Sequence, residues 1–134
     1  MIVADANLVA YLLIPGPFTT EAERVLAKDA TWLAPLLWRS ELASILIKYI
    51  RAGTLTLAGA EEHFAEAEDL LRDGEFAGDH IEALRLATSA GCSTYDCEYV
   101  AGALRAGVPL VTFDKRLLAA FPNVAMSAAQ FAPP

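Results

Sequence analysis

The chain has 134 residues, of which 55% are hydrophobic, and its formal net charge is −7 at pH 7. This length is enough for one sizeable core, so residues 1–134 are expected to form a single domain. No apolar run approaches the roughly 18 residues of a membrane span. The opening segment carries an Asp and no basic flank, which argues against a secretory signal. The mean hydropathy of +0.38 indicates surplus apolar surface, which favours an oligomer or partner interface.

The two cysteines also limit the class of protein. Cys92 and Cys97 are too few for a disulfide framework, and their spacing matches no zinc or redox motif. They are therefore predicted to be reduced thiols of a cytosolic protein.

The acidic charge is concentrated in one part of the chain. Residues 61–82 contain nine acids and one base, a local charge of −8, which leaves the rest of the chain at +1. If four carboxylates outside this segment bind metal, that remainder becomes about +5. The global charge therefore does not exclude a polyanionic substrate.

Strands and helices alternate in the predicted secondary structure. In chain order, the predicted elements are a buried strand over Ile2–Ala4, a helix from a Thr20–Glu23 capping box to about Lys28, a strand over 30–35, a long helix over 36–53, an acidic helix over 57–72, a helix over 79–90, a helix over 93–107, a strand over Leu110–Phe113, a short helix after Asp114, an edge strand over 124–126 and a final helical turn over 127–131. Such alternation predicts a doubly wound α/β fold with a parallel sheet. Ligands of these sheets bind at the carboxyl ends of the strands, where Asp5 and Asp114 stand.

Two further acids lie on helix faces that are otherwise apolar. Glu41 has Leu37 and Ile45 at helical spacing, and Asp96 shares its face with Tyr99, whereas Glu98 is expected to face elsewhere. Four carboxylates that converge would repel one another strongly without a cation between them. Hard oxygen ligands of this kind suit Mg²⁺ or Mn²⁺, which phosphodiester hydrolysis uses.

Each acid also has a purely structural interpretation. Asp96 could complete a capping box with Ser93, and Asp114 could cap the following helix. Glu41 could snorkel or pair with Lys48. Asp5 is the hardest to explain in this way, since no partner for it is evident from the sequence.

Several other side chains are weaker candidates. Thr112 lies two residues before Asp114 on the same side of a strand, and Asn7 lies two residues after Asp5, so both are accessory candidates. His63 and His80 lack metal-ligand spacing and are expected to be solvated or salt-bridged.

The ordered motifs DANLVAYL, SELASILIKYIRAG, STYDCEYVAGAL and LVTFDKRLL make the chain resemble the PIN-domain fold and, more narrowly, the VapC-type ribonuclease toxins of toxin–antitoxin pairs. The resemblance covers essentially the whole chain. It implies an α/β/α sandwich whose central parallel sheet has four or five strands flanked by helices. Ser44 stands where many relatives have Asn, and Cys97 stands where Ala is more usual.

The resemblance also implies an activity and a site. It implies an Mg²⁺- or Mn²⁺-dependent endoribonuclease, blocked by a cognate antitoxin and expected to be a homodimer. The family's acidic positions fall on Asp5, Glu41, Asp96 and Asp114, as metal ligands, with Asn7 and Thr112 as accessory residues. Basic residues near these acids are candidates for contacts with RNA phosphates, namely Arg39, Lys48, Lys115 and Arg116.

Three hypotheses follow from the sequence. The first is the metal-dependent endoribonuclease toxin. The second is a non-catalytic PIN-like binding module, which the apolar surplus favours and the four acids disfavour. The third is a phosphoacceptor receiver domain, which would need an adjacent acidic pair after the first strand that Asp5-Ala6 lacks.

Overall fold

Five short parallel strands form the central sheet of the protein, whose computed structural model describes residues 1–134. The strands are β1 (Ile2–Ala4), β2 (Trp32–Pro35), β3 (Glu75–Phe76), β4 (Leu110–Val111) and β5 (Ala125–Met126). Their spatial order is β3-β2-β1-β4-β5, and every neighbouring pair is parallel. The first strand therefore lies in the middle, directly beside β4, with which it pairs Val3 to Leu110 and Ala4 to Val111.

Eight helices flank the sheet. They are α1 (Ala6–Leu13), α2 (Thr19–Lys28), α3 (Trp38–Arg51), α4 (Leu57–Leu71), α5 (His80–Ala90), α6 (Thr94–Ala106), α7 (Lys115–Ala120) and α8 (Ala128–Phe131). Helix α6 packs against β1, β2 and β4, while α5 packs on α6. The predicted α/β sandwich with a parallel sheet is confirmed. None of the helices combines the length and the apolar character of a membrane-spanning segment.

One helix and one strand of the structure have no counterpart among the elements predicted from the sequence. Helix α1 follows β1 immediately, and Asp5, at its N-cap, accepts a hydrogen bond from the Leu8 backbone N–H. Strand β3 was not predicted because it is only two residues long and directly follows the Asp73-Gly74 break. It is held in place by Phe76, whose ring lies so close to Gly102 of α6 that a Cβ there would overlap it.

One predicted cap was wrong. Helix α2 begins two residues earlier than expected, with Phe18 at the N-cap position instead of Thr20, and no side chain caps it. Thr19 instead donates its hydroxyl to the carbonyl oxygen of Tyr11, at 2.8 Å, and accepts the N–H of Gly16. The hydroxyl next to the expected cap therefore orders the loop between α1 and α2.

A single cluster of 26 buried apolar residues forms the core. Trp32 on β2 and Trp38 on α3 are its largest fully buried side chains. Both predicted thiols, Cys92 and Cys97, are free. Core residues pack on both sides of the central strands, so the polar residues that follow β1 and β4 are held in fixed positions.

Candidate active site

One open cavity of about 600 Å³ brings the four predicted acids together. It lies beyond the carboxyl ends of β1 and β4, between α3 and α6. Its lining includes six of the predicted site residues: Asp5, Asn7, Glu41, Lys48, Asp96 and Asp114. A separate cavity of about 450 Å³, at the opposite ends of β4 and β5, has no acidic or basic side chain in its lining.

Asp5 is almost fully buried and has two hydrogen-bond donors, contrary to the expectation that it has no partner. Its Oδ1 accepts the backbone N–H of Leu8 at 2.8 Å, and its Oδ2 accepts the hydroxyl of Thr112. Burial raises the pKa of Asp5 to about 6, although both hydrogen bonds oppose the rise. The charges of Glu41 and Asp114 raise it further. The fold thus holds this carboxylate firmly in a place where its charge is destabilised.

Thr112 connects the two strand-end acids. Its side chain is fully buried, and the same hydroxyl that donates to Asp5 accepts the backbone N–H of Asp114 at 3.0 Å. It does not line the cavity itself. Its position is therefore behind the acids, where it fixes Asp5 relative to Asp114.

Asp114 has the structural role predicted for it and keeps one oxygen free. Its Oδ1 accepts the backbone N–H groups of Arg116 at 2.8 Å and Leu117 at 3.4 Å, which caps α7. Its Oδ2 accepts no hydrogen bond from the chain. Capping and cavity lining are thus compatible in one carboxylate.

Asp96 lacks half of the capping box that the sequence suggested. The Ser93 hydroxyl caps α6 by accepting the Asp96 backbone N–H at 3.0 Å, but the Asp96 carboxylate makes no return bond to Ser93. This carboxylate has no hydrogen-bond donor in the chain and lies in the cavity lining. It is therefore free to bind a ligand.

Glu41 lies against Tyr99 and does not form the suggested ion pair with Lys48. Burial raises the pKa of Glu41, the nearby Tyr99 hydroxyl opposes that rise, and the charges of Asp96 and Glu98 add to it. The Tyr99 hydroxyl is itself buried and makes no hydrogen bond of normal geometry. Its pKa is raised by burial and by Glu41, so it remains a proton donor aimed at the acids.

The predicted basic residues separate into two groups. Lys48 lines the cavity and forms no ion pair. Arg39 lies outside the cavity lining and is held by Glu75, through Nε at 3.0 Å and Nη2 at 2.7 Å, and by Glu68 at 2.8 Å. Lys115 and Arg116 are exposed on α7 next to Asp114, outside the lining, and Arg116 lies 3.9 Å from that acid. Lys48 is thus the one basic side chain that the structure brings into the cavity.

Two tyrosines of the cavity were not singled out as site residues. Tyr99 was interpreted as a core or interface aromatic; it is buried, but it also lines the cavity. Its spacing of three residues from Asp96 was the available signal. Tyr95 was overlooked because an exposed residue in the first turn of a helix carries no periodic signal. Glu98 lies outside the cavity lining, in line with the expectation that it faces elsewhere than Asp96, and its carboxylate lies next to Gly78 and His80.

The donor set of this cavity fits a hard divalent cation. Carboxylate oxygens are the ligands that Mg²⁺ and Mn²⁺ prefer, and four carboxylates here are accompanied by a single basic side chain. Asp96 and Asp114 each keep oxygen atoms without a hydrogen bond, so their lone pairs are available. No three His, Cys, Asp or Glu side chains form a group that could hold a metal ion as they stand. Binding would therefore require these side chains to move closer together.

Comparisons with known proteins agree with this architecture. The family model for the PIN domain matches residues 2–123. A curated relative, Ribonuclease VapC3 from Pyrobaculum aerophilum, is 31% identical over 124 residues, which make up 90% of this chain and 95% of that protein. The crystal structure of PAE2754 from the same organism has a TM-score of 0.78 at 23% identity, covering 98% of this chain and 92% of that one. A toxin–antitoxin complex from Klebsiella pneumoniae contains a chain with a TM-score of 0.67 at 13% identity, with coverage of 96% and 98%. Because the family model and the curated relative both span nearly the whole chain, the protein belongs to the PIN-domain family.

Proposed function

We propose that the protein is a metal-dependent endoribonuclease of the VapC type, which hydrolyses RNA phosphodiester bonds and is neutralised by a cognate antitoxin. The observation that carries the proposal is the convergence of Asp5, Glu41, Asp96 and Asp114 on one open cavity. The curated relative supports the reaction, since it is named a ribonuclease. We propose Mg²⁺ or Mn²⁺ as the cofactor, on the chemistry of the four carboxylates.

Each acid has a distinct role in this proposal. When bound, a divalent ion would polarise the scissile phosphate and lower the pKa of a water molecule. Asp5, Asp96 and Asp114 would hold it. Asp5 is fixed by two hydrogen bonds and is the least mobile ligand, whereas Asp96 has no such bond and can adjust.

Glu41 and Lys48 complete the proposed machinery. Glu41 is partly buried and has a raised pKa, so it is suited to act as a further ligand or to accept a proton from the attacking water. Lys48 faces the same cavity without an ion pair and can bind a phosphate oxygen of the substrate. Thr112 is proposed to position Asp5 and Asp114, and Asn7 to hydrogen-bond the substrate.

A cleavage assay on total cellular RNA tests the function. Purified protein, freed of any partner by denaturation and refolding, is incubated with total cellular RNA in Mn²⁺, in Mg²⁺ and in chelator. We expect cleavage that chelator abolishes and that Asp96→Asn reduces by about 10²-fold or more, as removal of a catalytic group does. The matched control is Asp79→Asn, an acid that caps α5 outside the cavity. Absence of cleavage in both metals, for a protein that circular dichroism shows to be folded, would refute the proposal.

The partners are proposed on different grounds. The curated relative carries the VapC name, and the Klebsiella pneumoniae structure is described as a toxin–antitoxin complex, so an antitoxin is the expected protein partner. We further propose a homodimer, a single domain over residues 1–134 and a cytoplasmic location. The single core cluster supports one domain, and the two free thiols support a reducing compartment.

A non-catalytic binding module is the second candidate, favoured by one observation. An apolar groove of about 250 Å³ between α3 and α4 is lined by Leu46, Ile47, Ile50, Leu57 and Phe64, among others, and Leu57 is 65% exposed. Such a groove can accept the apolar face of a partner helix. Mn²⁺ titration by calorimetry separates the two candidates, because a pure binding module would show no Mn²⁺ site that Asp96→Asn removes.

A further inference from the structure

Tyr95 is an exposed aromatic side chain at the active-site cavity. It is 61% exposed, although it lines the cavity immediately before Asp96 in the first turn of α6. The other ring contacts in the protein involve Tyr11, Phe18 and Phe113 in one cluster and Trp38 with Phe64 in another. Tyr95 takes part in none of them, and its hydroxyl makes no hydrogen bond. Folding therefore leaves its ring available to a ligand.

The electrostatics of the cavity show what such a ring could contribute. A polyanion that enters the cavity meets four carboxylates and one basic side chain, Lys48. Even with two carboxylate charges neutralised by a divalent ion, phosphate contacts supply little attraction here. Stacking of a base on an aromatic ring does not depend on such charge balance. Two apolar side chains, Leu37 just before α3 and Ile45 on α3, line the same cavity.

Stacking on Tyr95 also restricts the form of the RNA. Inside an A-form duplex both faces of each base are covered by neighbouring bases, so an aromatic side chain cannot reach them. Bases in loops, bulges and single strands can be splayed out onto such a ring. An RNA that uses Tyr95 must therefore present an unpaired base next to the phosphate bound by the acids.

We propose that Tyr95 is the base-stacking residue of this site and selects an unpaired nucleotide beside the scissile phosphate. This inference rests on the proposed ribonuclease function and adds the side chain that contacts the base next to the scissile phosphate. The hydroxyl of Tyr95 has no role in it, because stacking requires only the ring.

The test compares Tyr95→Phe, which keeps the ring, with Tyr95→Ala, which removes it. Leu104→Ala, a 49% exposed residue at the other end of α6, is the matched control. Binding is measured in chelator, so that no cleavage occurs, by the fluorescence quenching of single-stranded RNA carrying 2-aminopurine. Cleavage in Mn²⁺ is then measured on the same strand, alone and annealed to its complement.

We expect wild type, Tyr95→Phe and Leu104→Ala to quench the fluorescence and Tyr95→Ala not to. The kcat/KM for the single strand should fall about 10- to 100-fold in Tyr95→Ala, the range that loss of one base stack produces, and stay within about twofold in Tyr95→Phe. The annealed strand should be a poor substrate for all four proteins.

Three results would overturn the inference. If wild type cuts RNA and Tyr95→Ala cuts the single strand equally well, Tyr95 has no role in substrate binding, while the proposed function stands. If Tyr95→Ala instead loses only self-association, measured by sedimentation, Tyr95 is a protein contact. If the wild type neither binds nor cuts RNA, both this inference and the proposed function fail.

Discussion

The hydroxyl of Thr112 donates a hydrogen bond to the buried Oδ2 of Asp5, from one parallel strand end to the next. The same oxygen accepts the backbone N–H of Asp114 at 3.0 Å. Because β1 and β4 are paired in a fixed register, these bonds set the position of Asp5 relative to Asp114. A side chain outside the cavity lining thus determines the geometry of two acids inside it.

Replacement of Thr112 by Val should therefore affect both stability and activity. Val preserves the shape of this fully buried side chain but leaves the Asp5 carboxylate without its second donor. An unsatisfied buried acceptor costs about 1–3 kcal/mol, so we expect a loss of this size in the free energy of unfolding by urea at pH 7.5. Since the hydrogen bond lowers the pKa of Asp5, its loss should raise that pKa further.

Thr112→Ser is the control, since it retains the hydroxyl. It should keep most of the activity and most of the pH-dependent stability. An equal loss of activity in the Val and Ser variants would mean that the methyl group of Thr112 matters and the hydrogen bond does not.

Asp5 should make the metal-free protein less stable as the pH rises. Its pKa is about 6 in the folded protein, against the ordinary value of 3.8 that applies in the unfolded chain, so folding disfavours its ionised form. The stability that the protonated form provides is fully present below about pH 4 and is lost as the pH rises through about 6. At 1.36 kcal/mol for each unit of pKa, the full effect is about 3 kcal/mol.

Asp5→Asn removes this titration and can still accept the Leu8 N–H. In chelator we expect the variant to exceed the wild type in stability by up to about 3 kcal/mol at pH 7.5 and to match it near pH 4, as measured by urea unfolding. Saturating Mn²⁺ should stabilise the wild type and not the variant. A wild type that is more stable than Asp5→Asn at pH 7.5 in chelator would contradict the raised pKa.

The sequence predicted those strands and helices whose residue pattern depends on the element alone and not on distant parts of the chain. Apolar runs ending in acids identified β1 and β4, and helical spacing placed Glu41 and Asp96 on inward faces. Helix α1 was missed because its apolar residues continue directly from β1, so that only Asp5, as a helix cap, marks the boundary. One donor to Asp5 is local, the Leu8 N–H in the first turn of α1, whereas the other, the Thr112 hydroxyl just after β4, lies 107 residues away and has no local signal.

The ion pairs of Arg39 could not be predicted because strand β3 was not. Its main partner, Glu75, lies on β3, which has only two residues and depends on the contact between Phe76 and Gly102 for its position. Arg39 was a candidate for contact with RNA because it lies near Glu41 in the sequence, and without β3 no partner for it could be predicted. The structure engages its guanidinium with Glu75 and Glu68, since long-range packing brings the three side chains together.

Lys48 and Arg39 should therefore respond differently to neutralisation. We expect Lys48→Gln to weaken binding of single-stranded RNA and to reduce the slope of log affinity against log salt by about 0.7, the contribution of one phosphate contact. Arg39→Gln should leave that slope unchanged and slightly lower the melting temperature, because its ion pairs link α3 to α4 and β3. Fluorescence anisotropy in chelator at several salt concentrations measures both. A reduced salt slope in Arg39→Gln alone would reverse the assignment.

Tyr99→Phe isolates the effect of one buried hydroxyl on Glu41. The hydroxyl makes no hydrogen bond of normal geometry, yet it lies close enough to Glu41 to hold down the pKa of that acid, which burial raises. Its removal takes away a buried polar group and, with it, the support for ionised Glu41. These effects oppose each other, so the free energy of unfolding of the metal-free protein should stay within about 1 kcal/mol of wild type. The pKa of Glu41 should rise, so Mn²⁺ should bind more weakly, and by a larger factor at pH 6 than at pH 8. Calorimetric titration at the two pH values, beside urea unfolding in chelator, measures both effects.

Large destabilisation in chelator would show that Tyr99 donates a strong hydrogen bond in the folded protein, whereas unchanged Mn²⁺ affinity at both pH values would remove Tyr99 from the site.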